Sequence, residues 1–446
     1  MIRLTFLARL AAVSATATLV LASCGQATDS NAGETPAPDT ADTTTADTNT
    51  ATSPTDETAS SDAPEPTGDG VLHIGTFLPQ TGDLAYLGPP EFAGVDLAIK
   101  EINEAGGVLG KPVEQTKGDS GDLTPDIGGE QVDKLLNAGS DVILGAASSS
   151  VSLSVIDKVI GADKVMFSPA NTSPAFDTYD DKDLYFRTSP SDVFQGEVLA
   201  NLMVEDDYNN VAILARQDSY GEGLANRLQE VLKEKGATIA SYELYSADAT
   251  NYTAEVNKIA ASNPDAIALI AFEETTKIVP QLIAKGVGPQ DVGMYFVDGN
   301  TADYGDQDFD LEGVKATFPA AAEVPTEFNK KLDDIWAPKK LKDYTYGAQS
   351  YDAVMLTALA AEAAGDDDAL ALSKELINVS LDGTACTTYA DCLALVQDGE
   401  DIDYDGISGP VDLNDTGSVG KATIGIQLYG ADNNYKQIDS VSGIIE

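Results

Sequence analysis

The chain of 446 residues carries 73 acidic side chains against 26 basic ones and a single histidine, a formal charge of −47. Nucleic acid and anionic lipid surfaces would repel such a chain, so both are set aside as partners of the folded part. Its length exceeds the roughly 250 to 300 residues that one hydrophobic core holds, so two lobes are expected.

At the N-terminus Arg3 and Arg9 flank the start of an apolar run from Leu10 to Leu21, too short to span a bilayer, which ends in Leu21-Ala22-Ser23-Cys24. This is the pattern of an export signal over residues 1–23. Its last four residues resemble the bacterial lipobox, which implies that Cys24 becomes the lipidated first residue of the mature protein. An ordinary secretory cleavage site beside an incidental cysteine is the plainer alternative. From Gly25 to Gly70 the chain is mostly Thr, Ala, Asp, Ser and Pro, without Lys, Arg, His or an aromatic residue. Such a composition cannot bury enough apolar surface to fold, so residues 24–70 are expected to form a disordered tether with a reach on the order of 40 Å.

Val71, Leu72, Ile74, Phe77 and Leu78 then form a nearly continuous apolar run, as a strand covered on both faces requires. Gln80-Thr81-Gly82-Asp83 breaks it. Phe92, Val95, Ile99 and Ile102 follow as one stripe of a helix, and Gly106-Gly107 end it. This strand, polar glycine loop and helix resemble the opening of the branched-chain amino-acid binding proteins of the type I periplasmic-binding fold, and the resemblance runs from Val71 almost to the C-terminus. Further strands are expected over Asp141–Leu144, Lys164–Phe167, Asn210–Ala215, Thr238–Tyr245, Ala266–Ala271, Met294–Val297 and Val314–Phe318. Helices are expected over Glu91–Ala105, Ile127–Ala138, Val151–Ile160, Asp192–Glu205, Gly223–Lys235, Tyr252–Ala261, Thr275–Lys285, Glu327–Trp336, Tyr346–Ala364 and Ser373–Val379. The alternation is that of βαβ units. The expected fold is therefore α/β, with two Rossmann-like lobes on parallel central sheets. Breaks at Ser189-Pro190 and Val324-Pro325, with a third crossing near Lys421 implied by the resemblance, divide the chain into 71–189 plus 325–420 and 190–324 plus 421–446.

Gly145-Ala-Ala-Ser-Ser-Ser150 lies between a strand and a helix, where free N–H groups and hydroxyls favour an anion, although plain N-capping by serine satisfies the same pattern. The resemblance implies that Ser148, with Ser149, holds a ligand carboxylate. Ser168-Pro-Ala-Asn-Thr-Ser-Pro174 follows the next strand, where ligands of open parallel sheets gather. Matched to the family, Ala170 offers its carbonyl to an ammonium and Thr172 its hydroxyl and N–H to the carboxylate, with Asn171 between them; an ordinary Pro-bounded loop is the alternative. In the second lobe Tyr220 resembles an aromatic residue that closes over the ligand, Phe272 a second pocket aromatic, and Asp298 an acid that pairs with the ammonium. Helix-entry packing, plain core and an Asp-Gly turn are their respective bland readings. Tyr86 and Leu87 fall where relatives place an aromatic residue near the ligand side chain. Leu87 departs from that pattern, as does Asp298 where a longer Glu is usual, and both leave the ligand side chain open, with small amides also possible.

Cys386 and Cys392, in an exported chain, suggest a small disulfide loop. A two-cysteine metal site is the alternative, disfavoured because His73 stands far off in the first strand. Asp401 to Asp412 imitates an EF-hand loop only in part: position twelve is Asp rather than Glu and Pro410 interrupts the exit, so a late turn and strand are preferred. No Ser-His-Asp set and no G-x-G-x-x-G after a strand is present. The expectation is a monomeric, lipid-anchored extracytoplasmic protein without cofactor or metal, which traps an amino acid or similar small molecule between its lobes and passes it to an ABC permease with its ATPase. A ligand sensor coupled to signalling is the rival among binding proteins, and a carboxylate-dependent hydrolase the rival among enzymes.

Overall fold

The computed structural model describes residues 67–123, 126–319 and 324–445. The expected signal peptide, Cys24 and the tether as far as residue 66 lie outside the described residues. Five strands, β1 (His73–Leu78), β2 (Glu114–Asp119), β3 (Val142–Gly145), β4 (Val165–Ser168) and β5 (Tyr185–Arg187), make a wholly parallel sheet in the order β2-β1-β3-β4-β5. Helices α1 (Gly88–Glu104), α2 (Gly128–Asn137) and α3 (Ser149–Ile160) alternate with them. The second sheet has seven strands. Its parallel part is β6 (Asn210–Arg216), β7 (Thr238–Tyr245), β8 (Ala266–Ile270), β9 (Gly293–Phe296) and β10 (Lys315–Pro319), interleaved with α4 (Asp192–Glu205), α5 (Ser219–Glu234), α6 (Thr253–Ala261) and α7 (Thr275–Ala284).

The chain then returns to the first lobe as α8 (Thr326–Trp336), α9 (Gly347–Ala364), α10 (Ala369–Leu372), β11 (Thr384–Cys386), α11 (Tyr389–Gln397), β12 (Ile402–Gly406) and β13 (Gly409–Pro410), the last three strands forming a small sheet. It ends as a hairpin, β14 (Lys421–Tyr429) and β15 (Tyr435–Ile444), added antiparallel to β10, so the second sheet runs β15-β14-β10-β9-β8-β6-β7. Two α/β lobes on parallel sheets are thus the observed architecture, with an antiparallel margin on the second that periodicity did not reveal.

The first lobe closes over α9, which is apolar nearly all round and buries fifteen of its eighteen residues. Helix α1 packs directly on it, and the contact needs Gly94, because a Cβ there would stand 2.2 Å from the Gly347 carbonyl oxygen. The second sheet is covered on both faces, by a cluster around Leu224, Leu228 and Ile270 and another around Val256, Ile278 and Leu282. Ile213 faces one cluster and Leu214 the other, the alternation a strand between two helical layers must show.

Several expectations are corrected. The helix placed at Ser373–Val379 is instead α10, capped by Asp368, followed by hydrogen-bonded turns to Val379. Strands β2, β5 and the terminal hairpin were missed, as was α11. Residues 67–70, counted with the tether, are held against the first lobe: Asp366 accepts from the N–H groups of Thr67 (2.7 Å) and Gly68 (2.9 Å), and Asp367 from those of Gly70 (2.7 Å) and Val71 (3.0 Å). Cys386 and Cys392 form the expected disulfide, tying β11 to α11.

The Asp401–Asp412 run is β12, a tight turn and β13, and the turn closes on a single side chain. Asp352 of α9, fully buried, accepts from Tyr404 Oη (2.9 Å), Ile407 N (3.0 Å), Ser408 N (2.7 Å) and Ser408 Oγ (2.5 Å). Asp352→Ala strands four donors, the buried Tyr404 hydroxyl among them, and should lower the unfolding free energy in a urea titration by about 3 kcal/mol. Added calcium should leave the melting temperature of either protein unchanged.

Where the lobes meet near Asp303, burial pushes the Asp343 carboxyl up to about 6, aided by Asp303 and opposed by the Thr345 N–H and by Lys342. Burial likewise raises Glu91, whose two carboxyl oxygens have no partner among the described residues. The Asp343 carboxyl binds a proton more readily folded than unfolded, so its contribution is full below the unfolded carboxyl value and is lost as pH rises through about 6, and Glu91 acts in the same direction. The melting temperature should therefore fall between pH 5 and 7.5, and Asp343→Asn should flatten that slope in pH-resolved thermal melts.

Candidate functional site

The carboxyl ends of the strands in both lobes face a shared cleft, the position at which open parallel sheets bind ligands. From the first lobe, β3 runs into Gly145-Ala146-Ala147 and then α3, whose N-cap is Ser148: its hydroxyl accepts from Val151 N at 3.5 Å. Ser149 Oγ accepts from the backbone N–H groups of Thr172 and Ser173, both at 3.3 Å, and so binds this loop to the one after β4. Asn171 secures the same junction, donating through Nδ2 to the carbonyls of Ala146 (3.0 Å) and Ala147 (2.9 Å).

From the second lobe, β6 leads through the Asp218 cap into α5 and its Tyr220, β8 delivers Phe272, and β9 delivers Asp298. Phe272 stacks on Tyr220 with ring centroids 5.2 Å apart. The buried Arg216 guanidinium lies over its ring at 3.7 Å, held by Asp218 (2.6 Å) and Glu274 (2.9 Å). These aromatic rings are therefore fixed from behind, a rigid wall rather than mobile flaps.

Asp298 is the centre of the arrangement. It is 4 % exposed, and its carboxylate accepts from Tyr220 Oη (2.6 Å), Gln195 Nε2 (3.0 Å) and Tyr346 Oη (2.8 Å). Burial raises its carboxyl, while the Tyr220, Tyr346 and Gln195 donors work in the opposite direction. Burial also pushes both phenols well above their ordinary range, so they remain protonated donors. The cavity around this carboxylate is enclosed and narrow, with about 10 Å³ open to the centre of a water molecule, and is lined by Leu84, Leu87, Ala147, Ser149, Ala170, Tyr220, Phe272, Asp298, Gly299 and Tyr346. No lysine or arginine is among these lining residues.

Of the residues singled out from the sequence, Leu87, Ser149, Ala170, Tyr220, Phe272 and Asp298 meet in this cavity. Tyr86 stands beside it and bridges the lobes, donating to the Gly299 carbonyl at 2.9 Å. Ser148, Asn171 and Thr172 stand behind the lining, engaged with the backbone or, for the Thr172 hydroxyl, with Asp192 at 2.9 Å. Sequence reasoning missed Tyr346 and Gln195. Tyr346 sits at the head of α9 with φ of 59°, where only the fold turns it into the cleft. Gln195 left a signal, being a polar residue on the buried face that α4 shares with Val198, Leu199 and Leu202.

The lobes also touch outside the cavity. Ser150 Oγ meets Ser219 Oγ at 2.8 Å, and Ser173 Oγ donates to the Ser219 carbonyl at 2.8 Å. Arg216 reaches toward Asp122 across the cleft at 4.0 Å.

Residues 71–392 match the family described as periplasmic binding protein. A leucine-, isoleucine-, valine-, threonine- and alanine-binding protein of Pseudomonas aeruginosa is 27% identical over 305 residues, 67% of this chain and 80% of that protein. A chemotactic signal transduction substrate-binding protein, BasB, of Halobacterium salinarum is 26% identical over 354 residues, 76% and 83% of the two chains. Among solved structures, the branched-chain amino acid transporter substrate-binding protein LivJ of Streptococcus pneumoniae, in complex with isoleucine, superposes with a TM-score of 0.67 at 21% identity, covering 84% of this chain and 100% of that one. An ABC-transporter solute-binding protein of R. palustris in complex with benzoate gives 0.67 at 16% identity, covering 84% and 98%. These relatives and neighbours are binding proteins rather than enzymes, and an extracytoplasmic location goes with the family. The chain belongs to the periplasmic binding protein family.

Proposed function

We propose that the protein captures an L-α-amino acid with an aliphatic side chain between its lobes and delivers it to an ABC permease driven by its ATPase. One observation carries this reading: a single buried acid, Asp298, shares an apolar cavity with Ser149 and the opening of α3. An ammonium pairs with the acid, and a carboxylate suits the amide-rich helix start. Leu84, Leu87, Ala147 and Ala170 leave an aliphatic environment for the side chain. The neighbour that binds benzoate has a ligand without an ammonium, and burying such an acid against Asp298 would be repulsive. A second reading, sensing rather than transport, is favoured by the similarity to BasB; it uses the same cleft and differs only in the partner that reads the closed form.

The Leu21-Ala22-Ser23-Cys24 run supports attachment to the outer face of the membrane through a lipid on Cys24, with the Thr- and Asp-rich stretch as tether. This segment is where the acidic chain would meet a membrane that otherwise repels it.

In a thermal-shift assay with L-valine at a hundred times its dissociation constant, binding to the folded form alone should raise the melting temperature by about 3 °C. Benzoate and 3-methylbutanoate should give no comparable rise. Asp298→Asn should abolish the L-valine response while preserving a cooperative melt; an undiminished shift would remove Asp298 from the site. Cys24→Ala should release the protein from the membrane fraction into the medium, and unchanged membrane association would refute the lipid anchor.

A further inference from the structure

The two adjacent-lysine pairs of this acidic chain, Lys330-Lys331 and Lys339-Lys340, flank its single tryptophan, Trp336, and the run 336–342 holds three lysines without an acid. Trp336 ends α8 and is half-buried on the first lobe's core, while Lys330, Lys331, Lys339, Lys340 and Lys342 are all exposed. Lys331 is spent on Glu101 of α1 (2.8 Å), and Lys342 stands 4.0 Å from Asp306 of the second lobe. Lys330, Lys339 and Lys340 make no ion pair among the described residues. Beside Trp336 opens a surface hollow of about 290 Å³. Two of its walls are an aromatic ring under a cation: Lys339 Nζ lies 5.3 Å from the centre of the Trp336 ring and Lys117 Nζ 5.2 Å from that of Phe92, with Lys117 also paired to Asp96 at 2.7 Å. The third wall is the loop after β1, through Pro79, Gln80, Ala85 and Gly88. The same loop lines the ligand cavity through Leu84 and Leu87. It is tightly folded: the Leu87 N–H donates to the Leu84 carbonyl at 2.9 Å, and a Cβ on Gly88 would stand 1.9 Å from the Pro79 carbonyl oxygen. The hollow therefore lies on the outer side of the cleft rim, beside a lysine that faces the other lobe.

We propose that this hollow is a docking socket for an acidic segment of a partner protein, whose apolar anchor side chain enters between Trp336 and Phe92 while its carboxylates meet Lys339 and Lys340. It rests on the reading of the chain as a binding protein that presents its closed form to a partner. A free small molecule would keep few contacts in so open a hollow. A side chain carried on a larger partner gains the surrounding lysines as well, and a half-buried tryptophan at the centre of such a patch is the kind of residue on which interface energy concentrates. With 73 acidic residues against 26 basic ones, most of the remaining surface repels an acidic segment. The lysines thus choose the partner and its register, and the anchor supplies the affinity.

Because Trp336 is the only tryptophan, its fluorescence in the full chain reports the socket directly. The end-capped peptide Glu-Glu-Leu-Phe-Glu-Glu should change that emission saturably. Gln-Gln-Leu-Phe-Gln-Gln, without the charge, and Glu-Glu-Gly-Gly-Glu-Glu, without the anchor, should each bind at least about 10-fold more weakly. Raising the salt from about 0.02 to about 0.3 M should weaken the first peptide by about 10-fold, since exposed charges are screened. Lys339→Glu combined with Lys340→Glu should weaken it at least about 10-fold while leaving the melting temperature and the affinity for L-valine unchanged. No response to the first peptide, equal responses to all three, or an undiminished response in the double variant would overturn the proposal. So would a response to phosphatidylglycerol vesicles without one to the peptide, which makes this face a membrane contact, or dimerisation in sedimentation that Trp336→Ala suppresses, which makes it a contact between copies. An intact peptide response with no L-valine binding in calorimetry would instead defeat the amino-acid reading and leave the socket standing.

Discussion

A carboxylate withdrawn from water between two lobes must be compensated from several directions, and the cleft is organised around that requirement at Asp298. Its three donors come from three places in the chain: Gln195 in the first turn of α4, Tyr220 in the first turn of α5, and Tyr346 at the head of α9. Two belong to the second lobe and one to the first. The bond from Tyr346 therefore registers the lobes on each other as well as satisfying the acid. All three donors are neutral. They solvate the charge without cancelling it, so the carboxylate keeps its attraction for a cation while the surrounding hydroxyls and amide keep it tolerable in an apolar cavity.

The same device recurs away from the cleft. Asp352 is solvated by two backbone N–H groups and two hydroxyls, and Asp366 and Asp367 accept from the chain entering the first lobe. With acidic residues outnumbering basic ones by 73 to 26, few interior carboxylates can find a cation. Backbone amides and hydroxyls take that place. Lys and Arg are spent on particular duties: Arg187 draws together the Asn171 and Ser173 carbonyls, and Arg216 backs the aromatic wall through Phe272.

How much of this was legible follows from what burial does to a sequence. Strands covered on both faces, such as β6 and β8, read as unbroken apolar runs, and β7 with α4 were placed to the residue. Glu114–Asp119 reads EQTKGD and shows no strand pattern, because as an edge strand it is largely solvated. Lys421–Tyr429 does alternate through Ile424, Ile426 and Leu428, but Gly425 and Thr423 dilute the signal, and its partner β15 is mostly exposed. In the site, the family resemblance, consistent with the rule that ligands gather at strand ends, pointed to Ser149, Ala170, Phe272 and Asp298 without knowledge of their contacts. That rule cannot find Tyr346, which enters from a helix of the returning chain, more than 40 positions after Asp298. Nor can it assign hydrogen-bond direction. Thr172 was drawn to the neighbourhood by the resemblance, and the structure sets it behind the lining, its hydroxyl bonded to Asp192, twenty residues later.

The contacts that join the lobes outside the cavity are mostly hydroxyl bonds, Ser150 to Ser219, Ser173 to the Ser219 carbonyl and Tyr86 to the Gly299 carbonyl. Each is worth about 1 kcal/mol net, since water replaces it on opening. Against them stand acids brought close across the same junction, Asp343 near Asp303 and Asp83 near Glu273, where burial and like charge oppose closure. A balance between small opposing quantities is easily tipped. A ligand whose ammonium meets Asp298 and whose carboxylate meets the start of α3 engages both lobes at once and adds charge-assisted bonds to the favourable side. A carboxylate alone engages the first lobe and leaves Asp298 opposed, so the lobes gain nothing by closing on it.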